Sequence, residues 1–511
     1  MIHFGLFSQR PRNIETLIFL VNLVRRRRTM AKTVSPGVQA LRKVVEDVYA
    51  DARKAKAEGK LVGWSSSKFP CELAEAFDLN VMYPENQAAG IAANRDGEIM
   101  CKAAEDLGFD NDICGYARIS LAYAAGKRAS RKVDLETGEY VINPNSGKPL
   151  KDENGNVVID PETGKPKKDP KTMQPYTVLD DIYEIEALPE GREKELRKAA
   201  IKPYRQMQMP QPDFMLCCNN ICNCMTKWYE NIARMRNIPL IMIDIPYNNT
   251  VDVHDTNVAY VRAQFDSAIK QLEELTGKKF DEKKCEQACA NANRTAQAWL
   301  RVCDYLQYKP SPYSGFDLFN HMADVVTARG KVAAAEAFEL LEKDLEEAVK
   351  NGTSTTPFPE KYRVMFEGIP CWPKLPNLFK PLKEHGVNVT AVVYAPAFGF
   401  VYNNMDEMVR AYYKAPNSVC IEQGVDWREG ICRDNKVDGV LVHYNRSCKP
   451  WSGYMAEMQR RFTKDLGVPC AGFDGDQADP RNFNEAQYET RVQGLVEAME
   501  ANQAKKEAEA K

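Results

Sequence analysis

From about residue 36 onward, short apolar runs alternate with segments whose apolar positions recur at three and four residues. KLVGW, LNVMYP, PDFMLCC and IPLIMIDIPY are runs of the first kind, ended by Pro, Asn or Ser. The segments at 70–77, 96–107 and 222–236 are of the second kind. Short apolar runs lacking polar alternation suit strands buried on both faces, so this half predicts a parallel sheet covered by helices. A long helical block follows, clearest in DTNVAYVRAQFDSAIKQLEELTG, where Asp255 reads as the N-cap and Gly277 as the stop. Strand-like runs return in YRVMFEGIP, VNVTAVVYAP, VDGVLVHYN and VPCAGFDG, with helical segments at 405–415, 418–434 and 452–465 between them. The expected class is α/β: two small parallel-sheet domains of flavodoxin or Rossmann-like kind plus a helical element. The expected boundaries are 30–254, 255–355 and 356–500, with 501–511 a charged, solvated tail.

Two stretches depart from this rhythm. Residues 129–205 are rich in Gly, Pro, Asn, Asp and Lys, and the turn signals ETGE, NSGK, ENGN and ETGK recur about every ten residues. They predict an appended β-hairpin insertion, which holds no Cys or His. At the other extreme, TLIFLVNLVRRRRTM (16–30) places its arginines after the apolar run, whereas a secretory signal has them before. The run is also far shorter than the roughly 20 apolar residues of a membrane span. The native chain is expected to start near Met30, with residues 1–29 a non-native or disordered extension.

Composition alters this picture in one respect. The 511 residues are 44% hydrophobic and 27% charged with a formal net charge of −2, an ordinary globular balance that suggests neither nucleic acid nor an anionic membrane as partner. The fifteen cysteines are unusual. Their odd number and scatter through apolar runs argue for reduced thiols and metal chemistry in a reducing cytoplasm.

Functional groups in an open parallel sheet gather beyond the C-terminal ends of its strands. Cys217 and Cys218 close the run DFMLCC, Cys222 lies on the turn into the next helix, and Cys448 and Cys114 occupy similar places. Thiolates at helix N-termini have lowered pKa values and serve as ligands. Cys101, Cys285, Cys289, Cys303, Cys371, Cys420, Cys432 and Cys470 read as packing on apolar faces, and Cys217 as a core residue. Cys218 and Cys224 remain open between the two readings. No CxxC pair or HxxxH occurs to complete a zinc site, which argues against zinc, and with no compact CxxCxxC run either, spacing alone leaves an iron–sulfur cluster open. No GxxxxGK[ST] or GxGxxG loop occurs, so neither loop offers ATP or a dinucleotide a seat.

GWSSSKFPCELAE, YPENQAAGIAANRDGE, DICGYARISLAYAAG, CCNNICNCMTKWYENIAR, APAFGFVYNN and HYNRSCKPWSGYM closely resemble the 2-hydroxyacyl-CoA dehydratase family, over about residues 30–500. The resemblance implies a [4Fe–4S] cluster on Cys114, Cys222 and Cys448 whose remaining iron is open to substrate. It further implies Glu85 and Ser67 beside the substrate, a homologous cluster-bearing beta subunit in a heterodimer, a separate ATP-dependent iron–sulfur activator, and in some members a flavin (FMN or riboflavin). The implied reaction removes water from an acyl-CoA through a ketyl radical. The expected acyl group is (R)-2-hydroxyglutaryl, giving (E)-glutaconyl-CoA in glutamate fermentation, with lactoyl or phenyllactoyl as alternatives. A further alternative is a subunit that only relays electrons. Several neighbours keep two readings. Glu85 suits a base or a helix N-terminal carboxylate, and Ser66 and Ser67 suit helix N-caps equally well. Arg118, Arg446 and Lys449 flank the expected ligands as candidates to steady the cluster or bind a carboxylate. His443 reads as a hydrogen-bonded core residue.

Overall fold

The computed structural model describes residues 34–203, 208–416 and 418–509, so the expected extension at 1–29 lies outside it. The first unit runs α1 (Pro36–Ala57), β1 (Val62–Ser65), α2 (Cys71–Ala76), β2 (Asn80–Met82), α3 (Pro84–Ala93), α4 (Gly97–Asp106) and α5 (Gly115–Ala124). The insertion contributes β3 (Lys127–Arg131), β4 (Thr177–Asp181), α6 (Ile182–Ala187) and α7 (Arg192–Ala200). The chain returns through β5 (Phe214–Cys218), α8 (Asn223–Arg236) and β6 (Leu240–Ile243). Four helices follow: α9 (Asp255–Thr276), α10 (Glu282–Asp304), α11 (Gly315–Thr327) and α12 (Val332–Lys350). The second unit is β7 (Tyr362–Glu367), α13 (Leu375–Glu384), β8 (Val387–Val392), α14 (Met405–Tyr413), α15 (Ile421–Asp434), β9 (Gly439–Asn445), α16 (Lys449–Ser452), α17 (Met455–Arg461), β10 (Cys470–Gly475) and α18 (Glu485–Glu509).

Two four-stranded sheets result, ordered β2-β1-β5-β6 and β10-β9-β7-β8. Every neighbouring pair in both is parallel. All residues of β1, β5, β7 and β8 are buried, which is why their sequences show apolar runs without alternation. The chain is thus α/β with two parallel sheets and a helical element, as its pattern predicts. The four middle helices pack into both units: α12 lies on α1, α10 lies on α2, and α11 meets β8. A Cβ on Gly37 would overlap the Leu341 backbone, so α1 and α12 approach closely only because residue 37 lacks a side chain.

Two details differ from expectation. His254, not Asp255, is the N-cap of α9, and Asp255 is its first helical residue, while Gly277 ends the helix with φ 68°. The insertion is not a single hairpin. β3 and β4 pair antiparallel, and beyond them nested bridges such as Pro149↔Lys168, Lys151↔Val157 and Ile159↔Pro166 form smaller arms. Their turns repeat one device: Asp134, Asp152 and Asp160 each accept backbone N–H groups from the residues just after them. No helix of the described residues is long and apolar enough to cross a membrane.

Candidate active site

Both sheets present the C-terminal ends of strands toward one small cavity of about 80 Å³. Ser67 and Lys68 reach it from the loop after β1, Glu85 from the first turn of α3, Cys222 from the loop after β5, Cys224 from the first turn of α8, and Cys448 from the loop after β9. Cys114 enters just before α5. Cys114, Cys222 and Cys448, more than one hundred residues apart in sequence, therefore line a single space.

Contacts across the two units hold them there. The Gly115 N–H donates to Ser447 Oγ at 3.0 Å, which ties the segment carrying Cys114 to the segment carrying Cys448. A Cβ on Gly115 would sit 2.7 Å from Asp476 Oδ1, so this junction needs glycine. Gln477 Nε2 donates to Cys114 Sγ at 3.2 Å. On the far side, Trp451 Nε1 donates to Glu367 Oε1 at 3.0 Å, and the fully buried Arg428–Glu367 ion pair fixes that carboxylate at 2.9 Å.

Each of the three cysteines is the N-cap of a helix, and none closes a side-chain capping bond. Cys114 is pushed well up by its hydrogen bond to Cys224 and by burial, and the backbone N–H of Ala117 works against this. Burial, with the nearby Cys224 and Cys448, also raises Cys222, while the Met225 N–H favours its thiolate. Burial raises Cys448 to about 12, opposed by the Trp451 N–H. In every case the helpful amide lies three residues on, as the first turn of a helix dictates. Cys224, within α8, is pulled down to about 7, chiefly by the hydrogen bond from Cys114.

Among the described residues no three His, Cys, Asp or Glu side chains converge tightly enough for a single metal ion. The donor set fits a cluster instead. It is entirely thiol, it comes from separate helix starts, and a cubane spreads its thiolates over different corners. Cys217 and Cys218 lie elsewhere. Cys217 belongs to one hydrophobic core and Cys218 to another across the sheet, where Cys218 Sγ bonds Asn220 Oδ1 at 2.9 Å.

Glu85 stands in the first turn of α3 and also faces the cavity, so both readings of it describe its place. Its carboxylate accepts the Ser67 N–H and the Tyr229 hydroxyl, each at 2.9 Å. Burial raises its pKa, and those donors limit the rise. Neither Ser66 nor Ser67 caps a helix, because Pro70 is the N-cap of α2. Ser66 Oγ instead meets the Cys218 N–H at 3.2 Å.

The flanking cations are not in the cavity. Arg118 is fully buried and paired with Glu105 and Asp479 at 2.8 and 2.9 Å. Lys449 is exposed and paired with Asp112 at 2.5 Å, and with Arg446 it lines a separate surface hollow. The cavity's cation is Lys68, held at about 7 by burial and by Arg329. Sequence reasoning passed over it, since a lysine after three serines resembles a surface turn. Tyr229 and Gln477 were also missed, and no motif singles them out. His443 is a core residue: Nδ1 meets Ile369 O at 2.6 Å and the ring stacks on Phe473.

A larger groove of about 1560 Å³ adjoins the cavity and shares Ser67, Glu85, Tyr116, Tyr394 and Phe398 with it. Its outer walls come from α1, α11, α12 and residues 352–360.

The sequence model of the family described as 2-hydroxyglutaryl-CoA dehydratase, D-component, matches residues 194–499. The chain is 76% identical, over 93% of its length and 100% of that protein's, to the (R)-2-hydroxyglutaryl-CoA dehydratase alpha subunit of Acidaminococcus fermentans. Over 92% of its length and 96% of that protein's, it is 45% identical to the (R)-phenyllactyl-CoA dehydratase alpha subunit of Clostridium sporogenes. To the (R)-2-hydroxyisocaproyl-CoA dehydratase alpha subunit of Clostridioides difficile it is 42% identical, over 89% and 94%. With the family model covering more than half of the chain and the Acidaminococcus match extending over 93% of it, the chain belongs to the 2-hydroxyglutaryl-CoA dehydratase D-component family and is a dehydratase, a hydro-lyase.

Proposed function

We propose that this chain is the catalytic alpha subunit of an enzyme that removes water from (R)-2-hydroxyglutaryl-CoA to give (E)-glutaconyl-CoA. The observation that carries the reading is the single cavity where Cys114, Cys222 and Cys448 meet Ser67 and Glu85. The 76% identity to an alpha subunit of that name supports the acyl group. Cys114, Cys222 and Cys448 are the proposed holders of a [4Fe–4S] cluster, and Cys224 is assigned no iron. When bound, such a cluster supplies a Lewis acid and a one-electron redox centre in one place.

The difficulty of the reaction lies in the substrate. The hydroxyl is α to the thioester carbonyl, the proton to be lost is on C3, and the thioester acidifies C2 instead. A ketyl radical anion would change this: one electron, delivered by the activator, would reduce the carbonyl, and hydroxide would leave from C2. The C3 proton of the resulting radical would be acidic, and the product's ketyl would return the same electron on release as enoyl-CoA. The protein's part is to balance the protons. Glu85, with its pKa raised by burial, protonates the departing hydroxide and then, as a carboxylate, accepts the C3 proton. Tyr229 and the Ser67 amide hold the carboxylate in place for both transfers. The adjoining groove is the proposed seat of the CoA arm, and it is roomier than the ~300–1,000 Å³ of ordinary small-ligand pockets.

The proposed assembly is a heterodimer with a homologous beta subunit, served by a separate ATP-dependent iron–sulfur activator in a reducing cytoplasm. All fifteen cysteines are free, which suits that setting. Oxygen-free purification with the partner, followed by iron analysis and turnover with activator, ATP and a panel of 2-hydroxyacyl-CoAs, tests the reading. Turnover led by the 2-hydroxyglutaryl substrate is expected. Iron bound without any dehydration would return the chain to an electron-relay role.

A further inference from the structure

Lys68 is 3% exposed, and among the described residues no carboxylate lies within ion-pair distance of it. Its Nζ donates to the Ala397 carbonyl at 2.6 Å and rests 4.7 Å from the Phe398 ring and 4.5 Å from the Phe400 ring. An ammonium has three N–H donors, so this environment leaves capacity unused. Other buried cations are provided for: Arg118, Arg363 and Arg428 pair with Asp479, Glu360 and Glu367 at 2.9, 2.6 and 2.9 Å. A buried amine without a counter-charge is driven toward its neutral form, and an anionic ligand arriving beside it would favour the ammonium, so an amine left this way marks a place where a ligand brings the partner.

Lys68 also lines the cavity that holds Ser67, Glu85 and the three cysteines. Glu85 does not serve it, because that carboxylate is engaged by the Ser67 N–H and the Tyr229 hydroxyl. The remaining anion is one carried in by the acyl group. We propose that Lys68 is the specificity-determining residue that binds the distal carboxylate of the substrate, selecting 2-hydroxyglutaryl-CoA over acyl-CoAs of similar length that end in alkyl groups. The assignment rests on the substrate reading above. The aromatic faces beneath the ammonium hold it in place without neutralising it, leaving its charge for the incoming carboxylate.

The test uses the complete enzyme with its partner, activator and ATP, and compares kcat/KM for (R)-2-hydroxyglutaryl-CoA and (R)-2-hydroxyisocaproyl-CoA. Lys68→Met is expected to lose roughly 100-fold on the first substrate, keep or improve its activity on the second, and retain its iron. Equal losses on both substrates, or loss of iron, would assign Lys68 to the cluster or the fold and overturn the proposal. If the Met protein does not fold, Lys68→Arg decides on the same ratio: displacing the charge is expected to shift it about ten-fold or more, and an unchanged ratio overturns the proposal. Wild-type enzyme that dehydrates only the alkyl substrate refutes the substrate reading itself, and Lys68's role with it, before any variant is made.

Discussion

Cys218 and Cys222 are four positions apart in sequence, yet they belong to different parts of the molecule. Successive residues of a strand point to opposite faces, so Cys217 and Cys218 enter separate cores, while the turn after β5 carries Cys222 to the strand ends. Alanine at Cys114, Cys222 or Cys448 is therefore expected to abolish bound iron and activity. Cys224→Ala and Cys285→Ala should retain both, as iron and sulfide analysis of oxygen-free protein will show. Glu85→Gln keeps the size of the side chain but removes the proton acceptor. It should lower kcat by about 100-fold or more while leaving the iron content unchanged. His443 gives a stability prediction. Burial holds its folded pKa near 4, below the ordinary 6.5, so the folded protein keeps the ring neutral while the unfolded chain takes up a proton. The stabilisation is present above pH 6.5 and is lost as pH falls through the folded value, by roughly 3 kcal/mol in all. Urea midpoints of wild type and His443→Gln between pH 7 and 4.5 should show the smaller decline in the variant, and parallel declines would remove His443 from the account.

Among the elements, the strands were the most legible part of the sequence. Runs such as YRVMFEGIP and VDGVLVHYN became β7 and β9 because a strand covered on both faces leaves an unbroken apolar signature. Taking Asp255 as the cap places the start of α9 one residue late, because an acidic residue at the first helical position resembles a cap. The insertion was recognised by its turns, but periodic turn signals do not say which arms pair, and the nested bridges went unread. None of its described residues lines the cavity or the groove. Replacing 149–168 with a short Gly-containing turn is accordingly expected to leave iron content and turnover within about two-fold of wild type. A loss beyond ten-fold would give the arm a part in assembly.

For the molecule as a whole, function follows from setting the C-terminal ends of two parallel sheets against one another, so that residues from 67 to 477 meet around one cavity. That convergence was beyond the sequence's own pattern, because spacing cannot relate Cys114 to Cys448 across more than three hundred residues. Resemblance to a family named the three cysteines, Ser67 and Glu85, whereas Lys68, Tyr229 and Gln477 emerged only from the packed structure. The most direct test of the account is a crystal structure of the oxygen-free heterodimer with the irons located by anomalous scattering. The account predicts iron bonded to Sγ of Cys114, Cys222 and Cys448, with the remaining iron facing Ser67 and Glu85 and free of protein sulfur. Iron bonded to Cys224 at that last corner, or held by any other set of cysteines, would contradict it.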